Sequence, residues 1–366
     1  MRIAAVFAVL YLFLVSIGMI GSAFKGLGRG FAESLFQSQA SPFIGLFIGV
    51  LATGLIQSSS TTTSLVVGMV AAGTFGSDPE LAVAAAVPYI MGANIGTSIT
   101  NTIVSLGHIV NREEFKRAFS ASVVHDFFNI LAVIIIFPLE LIFGIISKFS
   151  IALSSLLVGA GGGTFTSPIK LITKPTVKWI EHLFQQQSIV EANALMLIAA
   201  LAFLFFSLRN LTKLIKSLVM FRLQAFFDTH IFRTTLRAMF FGVIITILVQ
   251  SSSITTSLVI PLAGAGILNL RQIFPYTLGA NIGTTVTSLL ASMVSGTIAP
   301  LAVALGHLSF NLLGIGLLWP IKRVREIPIH LAEWFSNLAT KNKIYPLLYL
   351  LIVFFLIPLS LISMVR

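Results

Sequence analysis

Residues 57–64 read QSSSTTTS and residues 250–257 read QSSSITTS, an amide followed by small hydroxyls, each set between segments nearly free of polarity. Hydroxyls donate hydrogen bonds as well as accept them, so a cluster of them beside free backbone amides at a helix end can hold an anion. No cationic side chain is available for that work, because residues 43–111 and 238–270 contain no Lys or Arg. The same segments carry hard oxygen donors suited to sodium: the hydroxyls, the amide oxygens of Gln57, Asn94, Gln250 and Asn281, and carbonyls of unwound backbone. Bound cations would then offset the anion's charge in place of arginine. We expect one midplane site lined from two sides. Gln57, Ser58, Ser59, Ser60, Gln250, Ser251, Ser252 and Ser253 are assigned to the anion, and Asp126, Asn94, Thr97, Thr62, Asn281, Thr284 and Thr256 to sodium.

The elements that position these residues come in two copies. GLFIGVLATGLIQSSSTTTSLVVG and AMFFGVIITILVQSSSITTSLVIP align without gaps, VPYIMGANIGTSIT pairs with FPYTLGANIGTTVT, and His125 and Asn129 match His307 and Asn311. The offset falls from 193 residues at Gln57/Gln250 to 187 at Asn94/Asn281 and 182 at His125/His307, so the first copy carries short insertions. Duplication of this kind marks many secondary transporters. Residues 43–56 and 61–73 are each too short for a span of about 20 residues, which predicts a re-entrant helical hairpin with QSSS at its tip. Residues 81–91 and 98–109 flank GANIGT and predict a spanning helix broken at the glycines.

Composition fixes the solvent. Of 366 residues 56% are hydrophobic and 10% charged, beyond the usage of soluble domains, so the expected class is an all-α polytopic membrane protein. The formal charge of +11 does not point to nucleic acid, because the basic residues fall between hydrophobic segments. Cysteine is absent, which excludes disulfide and thiolate chemistry. Residues 3–20 are longer than a signal-peptide core and read as a retained membrane helix. Placing Arg112, Lys116 and Arg117, the basic segment from Arg209 to Arg237, and Lys322, Arg323 and Arg325 on the cytoplasmic side satisfies the positive-inside tendency. The two hairpins then enter from opposite faces, and the repeats are inverted. The boundaries are 1–42 for an N-terminal helix and connector, 43–138 for repeat one, 139–235 for a linker, 236–320 for repeat two, and 321–366 for an interfacial helix and a last span. Residues 170–187 and 210–235 mix charge with apolar character and read as interfacial helices.

Hydroxyls and glycines also serve simple packing between membrane helices. Two copies, each opened by Gln and followed at similar distance by GANIGT, argue instead for a shared site. Asp126 and Glu140 are the two acidic residues within strongly apolar stretches, where an ionisable group is costly and marks function. Asp126 has Leu308 as its counterpart, so it would add a cation site to one half. Glu140 follows Pro138 and is expected near an interface, while His125 and His307 are expected to brace the core and not to bind metal. An intramembrane serine hydrolase fits poorly, because no G-x-S-x-G turn is present and QSSS occurs twice.

The doubled QSSS, the doubled GANIGT and the stretch NREEFKRAFSASVVHDFFN resemble the type II sodium-dependent phosphate cotransporter family. The resemblance implies symport of inorganic phosphate driven by sodium, with no further cofactor and with the QSSS segments lining the substrate and sodium sites. Aspartate at position 126 is similar to the electrogenic branch, in which it accompanies an additional sodium site. The short linker and the missing cysteines resemble bacterial members, implying a multi-pass protein of the cytoplasmic membrane. A sodium symporter of sulfate or a small carboxylate is the alternative.

Overall fold

The computed structural model describes residues 2–27, 41–159, 168–184, 191–207, 210, 214 and 231–364. Among these the regular elements are helices. Four are long and apolar enough to cross a membrane: Pro79–Leu106, Arg112–Phe143, Ile298–Leu318 and Ile344–Met364. Residues 3–20 lie within a helix, Arg2–Leu27, and residues 168–183, where an interfacial helix is expected over 170–187, form the helix Pro168–Leu183. Apart from residues 210, 214 and 231–235, the helix expected at 210–235 lies outside the described residues.

Each Ser-rich run opens the second arm of a helical fold-back. The first arm, Pro42–Ile56, starts with Pro in its first turn, where a missing N–H costs little. It ends on Gln57 in the left-handed region, with φ 59° and ψ 29°. Ser58 is extended and its hydroxyl oxygen accepts from the Thr61 amide, so the next helix, Ser59–Ala72, begins at once. Across the turn, Thr53 donates to the Thr62 hydroxyl at 3.0 Å. The second copy repeats the device: Thr235–Val249, Gln250 at φ 55°, and Ser251 capping the short helix Ser252–Ser257. Leu258 separates that helix from Val259–Gly264.

The break expected at GANIGT is not at the glycines. Pro79–Gly96 runs through GANIG, and only Thr97 and Ser98, both right-handed helical, separate it from Ile99–Leu106. Leu270–Met293 carries the second GANIGT without interruption. The expectation of a broken helix in each copy therefore fails in the second and shrinks to a slight irregularity in the first. The glycines serve close approach instead. A Cβ on Gly92 would meet the Leu46 carbonyl and the Val50 amide, and one on Gly49 the Tyr89 carbonyl and the Ala93 amide. Gly279 stands in the same way against Met239 and Val243, and Gly242 against Tyr276 and Ala280. Small residues let membrane helices pack backbone to backbone. In each copy the first fold-back arm and the GANIG helix thus form one tightly fitted unit.

Two charged residues tie the outer parts together. Arg117 donates from Nε and Nη2 to the Gly264 carbonyl, at 2.9 and 2.7 Å, clamping the end of the second fold-back to Arg112–Phe143. Glu140 is buried three residues before the end of that helix, and it caps the helix Ile145–Gly159 across the left-handed Gly144. Its carboxylate accepts from the Ile146 amide at 2.6 Å and from the Ser147 amide at 3.2 Å. Carboxylates suit a helix N-terminus because they meet its free N–H groups and its positive dipole end. Glu140→Ala should cost about 1–2 kcal/mol of stability, as for lost caps elsewhere, and Glu140→Gln markedly less. Thermal unfolding in detergent would rank the two.

Candidate functional site

The site is built from the two QSSS turns upward. A side chain in the left-handed region is disfavoured by roughly 1–2 kcal/mol, and Gln57 and Gln250 are the non-glycine residues there among those described. Their amides offset that cost. In the first copy Nε2 of Gln57 donates back to the Gly54 carbonyl, while its Oε1 accepts from the Thr100 hydroxyl at 2.9 Å. In the second, Gln250 donates to the Ile247 carbonyl and accepts from Thr287 at 2.8 Å. Thr100 and Thr287 occupy matching positions after the two GANIGT motifs, in TSIT and TTVT. Both amides are thus engaged in bracing the turns.

The hydroxyls divide by role. Ser58 and Ser251 cap helices, accepting from the amides of Thr61 and Ile254. Ser59, Ser60 and Ser252 are buried, and their hydroxyls make no hydrogen bond among the described residues, so they keep free donors at the mouths of the second arms. Thr62 stays inside its own fold-back, bonded to the Ser58 carbonyl at 3.2 Å and accepting from Thr53. Thr284 returns to the Ala280 carbonyl and Thr97 to that of Ala93.

Both turns meet one short stretch, at the junction of the helices Pro79–Gly96 and Ile99–Leu106. Gln57 reaches Thr100, while from the other copy Ser253 donates to the Thr97 carbonyl at 3.4 Å. Thr256 and Ser257 donate to Asn101 Oδ1 at 2.9 and 3.0 Å. Residues three or four apart on a helix have Cβ atoms about 5–6 Å apart, so the two Ser-rich turns contact residues roughly one helical turn apart. Asn101 was not among the residues singled out from sequence, because a lone Asn in an apolar helix carries no spacing signal.

Beside this lies a buried amide network. Asn281 donates from Nδ2 to Asn129 Oδ1 at 2.8 Å, and Asn129 donates to the Asn94 carbonyl at 2.9 Å. The ring Nε2 of His125 donates to Asn281 Oδ1. Asn94 and Asn281, one from each copy, are therefore bridged by Asn129. His307 is also buried, with its Nδ1 3.3 Å from the Ser288 hydroxyl, and among the described residues no group of three or more His, Cys, Asp or Glu could hold a metal.

Asp126 lies between the Ser98 hydroxyl, at the stretch where the turns meet, and the C-terminal helix. One residue after His125 on the same helix, it points to the C-terminal span, where Tyr349 donates to its Oδ2 at 3.0 Å. Its carboxylate is fully buried, and Oδ1 has no hydrogen-bond partner among the described residues. Immediately after Tyr349 the last span opens into a π-helical turn, Ile352–Leu356, a feature that frequently accompanies functional sites. The residues assigned to sodium are thus spread over the first fold-back, the two GANIG helices, the second Ser-rich turn and the Asp126 corner.

The profile of the Na+/Pi-cotransporter family matches residues 12–161 and 194–340. The chain is 32% identical to sodium-dependent phosphate transport protein 2A of Ovis aries over 98% of its own length and 67% of that protein's. It is 32% identical to sodium-dependent phosphate transport protein 2B of Homo sapiens over 98% of its own length and 64% of that protein's. The chain therefore spans about two thirds of the length of these relatives. No solved structure matches it significantly.

Proposed function

The chain belongs to the Na+/Pi-cotransporter family, a family of transporters and not of enzymes, and on that basis we propose that it carries inorganic phosphate across a bacterial cytoplasmic membrane by electrogenic symport with sodium. The observation that carries this reading is the meeting of both QSSS turns at residues 97–101, in a region without Lys or Arg. Phosphate has oxygens on all sides and suits neutral donors converging from two directions. Ser59, Ser60 and Ser252 have hydroxyls to offer it, with Ser253 close by, and the amides opening the helix Ser59–Ala72 add positive potential. Gln57, Ser58, Gln250 and Ser251 shape the turns that present these groups. Sodium belongs on the oxygen sets around Asn94, Thr97, Asn281 and Thr256 and at the Asp126 carboxylate.

Alternating access follows if the two copies are inverted, each fold-back re-entering the membrane from its own side, and move against the remaining helices. The repeats at 43–138 and 236–320 are the moving halves of that scheme. Purified protein in liposomes should accumulate labelled phosphate only under an inward sodium gradient. A tenfold excess of unlabelled phosphate, but not of sulfate or a dicarboxylate, should abolish the signal. Equal competition by sulfate would transfer the site to the other anion.

A further inference from the structure

The bonds and close contacts that brace each Ser-rich turn have twins, whereas the bonds between copies do not. Gln57–Thr100 and Gln250–Thr287 are matched at 2.9 and 2.8 Å, and the glycine contacts of Gly49 and Gly92 recur at Gly242 and Gly279. Between copies, His125 and Asn129 of the first hold Asn281 of the second. Their counterparts His307 and Asn311 do not hold Asn94. The Asn94 amide instead falls back on the Ile90 carbonyl of its own helix, and the Asn311 amide on that of His307. Among the described residues His307 Nε2 and Asn311 Oδ1 are buried without partners. These are the two atoms whose counterparts, His125 Nε2 and Asn129 Oδ1, make the bonds to Asn281.

The hydroxyl cluster shows the same one-sidedness. Ser257 of the second copy donates to Asn101 of the first, whereas its twin Ser64 is buried with an unpartnered Oγ. Alignment of the copies makes Ser288 the counterpart of Asn101, so the twin of the Ser257–Asn101 bond would join Ser64 to Ser288. Three buried polar atoms without partners are therefore the twins of three atoms bonded across the copies. An unpaired buried polar group costs about 1–3 kcal/mol, and buried groups are rarely left unpaired without a reason.

We propose that His307 and Asn311 are positioning residues of the transport cycle, which bond Asn94 in the opposite conformer while the His125–Asn281–Asn129 bonds release. In that conformer His307 Nε2 donates to Asn94 Oδ1, the Asn94 amide donates to Asn311 Oδ1, and Ser64 turns to Ser288. The two networks are exclusive because each takes up an asparagine of a GANIG helix that the fitted fold-back unit carries with it. Exchange of one set for the other keeps the number of buried bonds nearly constant, so neither conformer is a trap. The proposal rests on the alternating-access reading above, and on no particular substrate.

The chain has no cysteine, which allows spin labels on Leu81→Cys and Ile267→Cys, two exposed positions, one in the first turn of the first GANIG helix and one three residues before the second. Distance distributions in liposomes should resolve two conformers for the parent. His307→Leu removes only the long 3.3 Å contact of its Nδ1 with the Ser288 hydroxyl in the conformer seen here and should enrich that conformer about fivefold or more, the factor expected for one net hydrogen bond. Asn311→Leu should do the same and guards against misfolding of the first variant. His125→Leu should enrich the other conformer by a similar factor, and His307→Gln should restore part of the parent ratio. Populations unchanged by His307→Leu and Asn311→Leu, or displaced in the same direction as by His125→Leu, would overturn the exchange. Phosphate uptake by the same liposomes is scored separately, so opposite displacements in a protein that carries no phosphate would uphold the exchange and reject the substrate.

Discussion

Gly92→Val should leave no folded protein in the membrane. The Cβ alone would enter the space of the Leu46 carbonyl and the Val50 amide, and these are backbone atoms of a helix that cannot move aside as a side chain would. Overpacking of a core usually costs about 1–3 kcal/mol, and here the two further methyl groups of valine would have to separate two helices along their whole line of contact. Gly279→Val should fail equally, against Met239 and Val243. Gly316→Ala is the matched control, because nothing lies within 4 Å of the position its Cβ would take. Size-exclusion profiles of fluorescently tagged variants should show a normal peak for Gly316→Ala and aggregate or no protein for the two valines. A normal peak for Gly92→Val would mean that the two helices are not in backbone contact.

The same glycines explain where reading the sequence stops short. Gly and Pro inside an apolar segment look alike whether they interrupt a helix or let another helix approach it, and only the partner distinguishes the two. Gly49 and Gly92 lie in different helices, so their mutual fit has no spacing pattern along the chain. The duplication and the turns at Gln57 and Gln250 were visible because they are local: a Gln–Ser pair between two apolar arms too short to span. Roles within the hydroxyl run were not visible, since a serine that caps a helix and a serine left free to bind are the same letter. Aligning the two copies would have drawn attention to Thr100 and Thr287, which tie the glutamines. Tyr349 carried no signal, because it meets Asp126 from a span 223 residues away that has no counterpart in the repeats.

Charge movement should part from phosphate movement in Asp126→Gly. Asp126 is buried in a membrane helix, one oxygen held by the Tyr349 hydroxyl and the other without a donor among the described residues. A buried carboxylate with only neutral hydroxyls beside it, those of Tyr349 and Ser98, is poorly compensated, because charges out of water need pairing. On the proposed reading a sodium ion at Oδ1 would supply the missing charge, and its uptake would make the cycle electrogenic. Removing the carboxylate would then remove the ion, so net charge moved per phosphate should fall by one while uptake continues at a reduced rate. Simultaneous recording of sodium-dependent current and labelled phosphate uptake in planar or liposome-coupled membranes reads that ratio directly. Tyr349→Phe tests the same corner from the other side. It keeps the carboxylate and deletes only the competing donor, so it should leave charge per phosphate unchanged and shift the sodium concentration for half-maximal uptake by several fold. An active Asp126→Gly protein with the parent ratio would make Asp126 a packing residue held by Tyr349, and the coupling charge would then have to lie among the neutral oxygens around Asn94, Asn101 and Asn281.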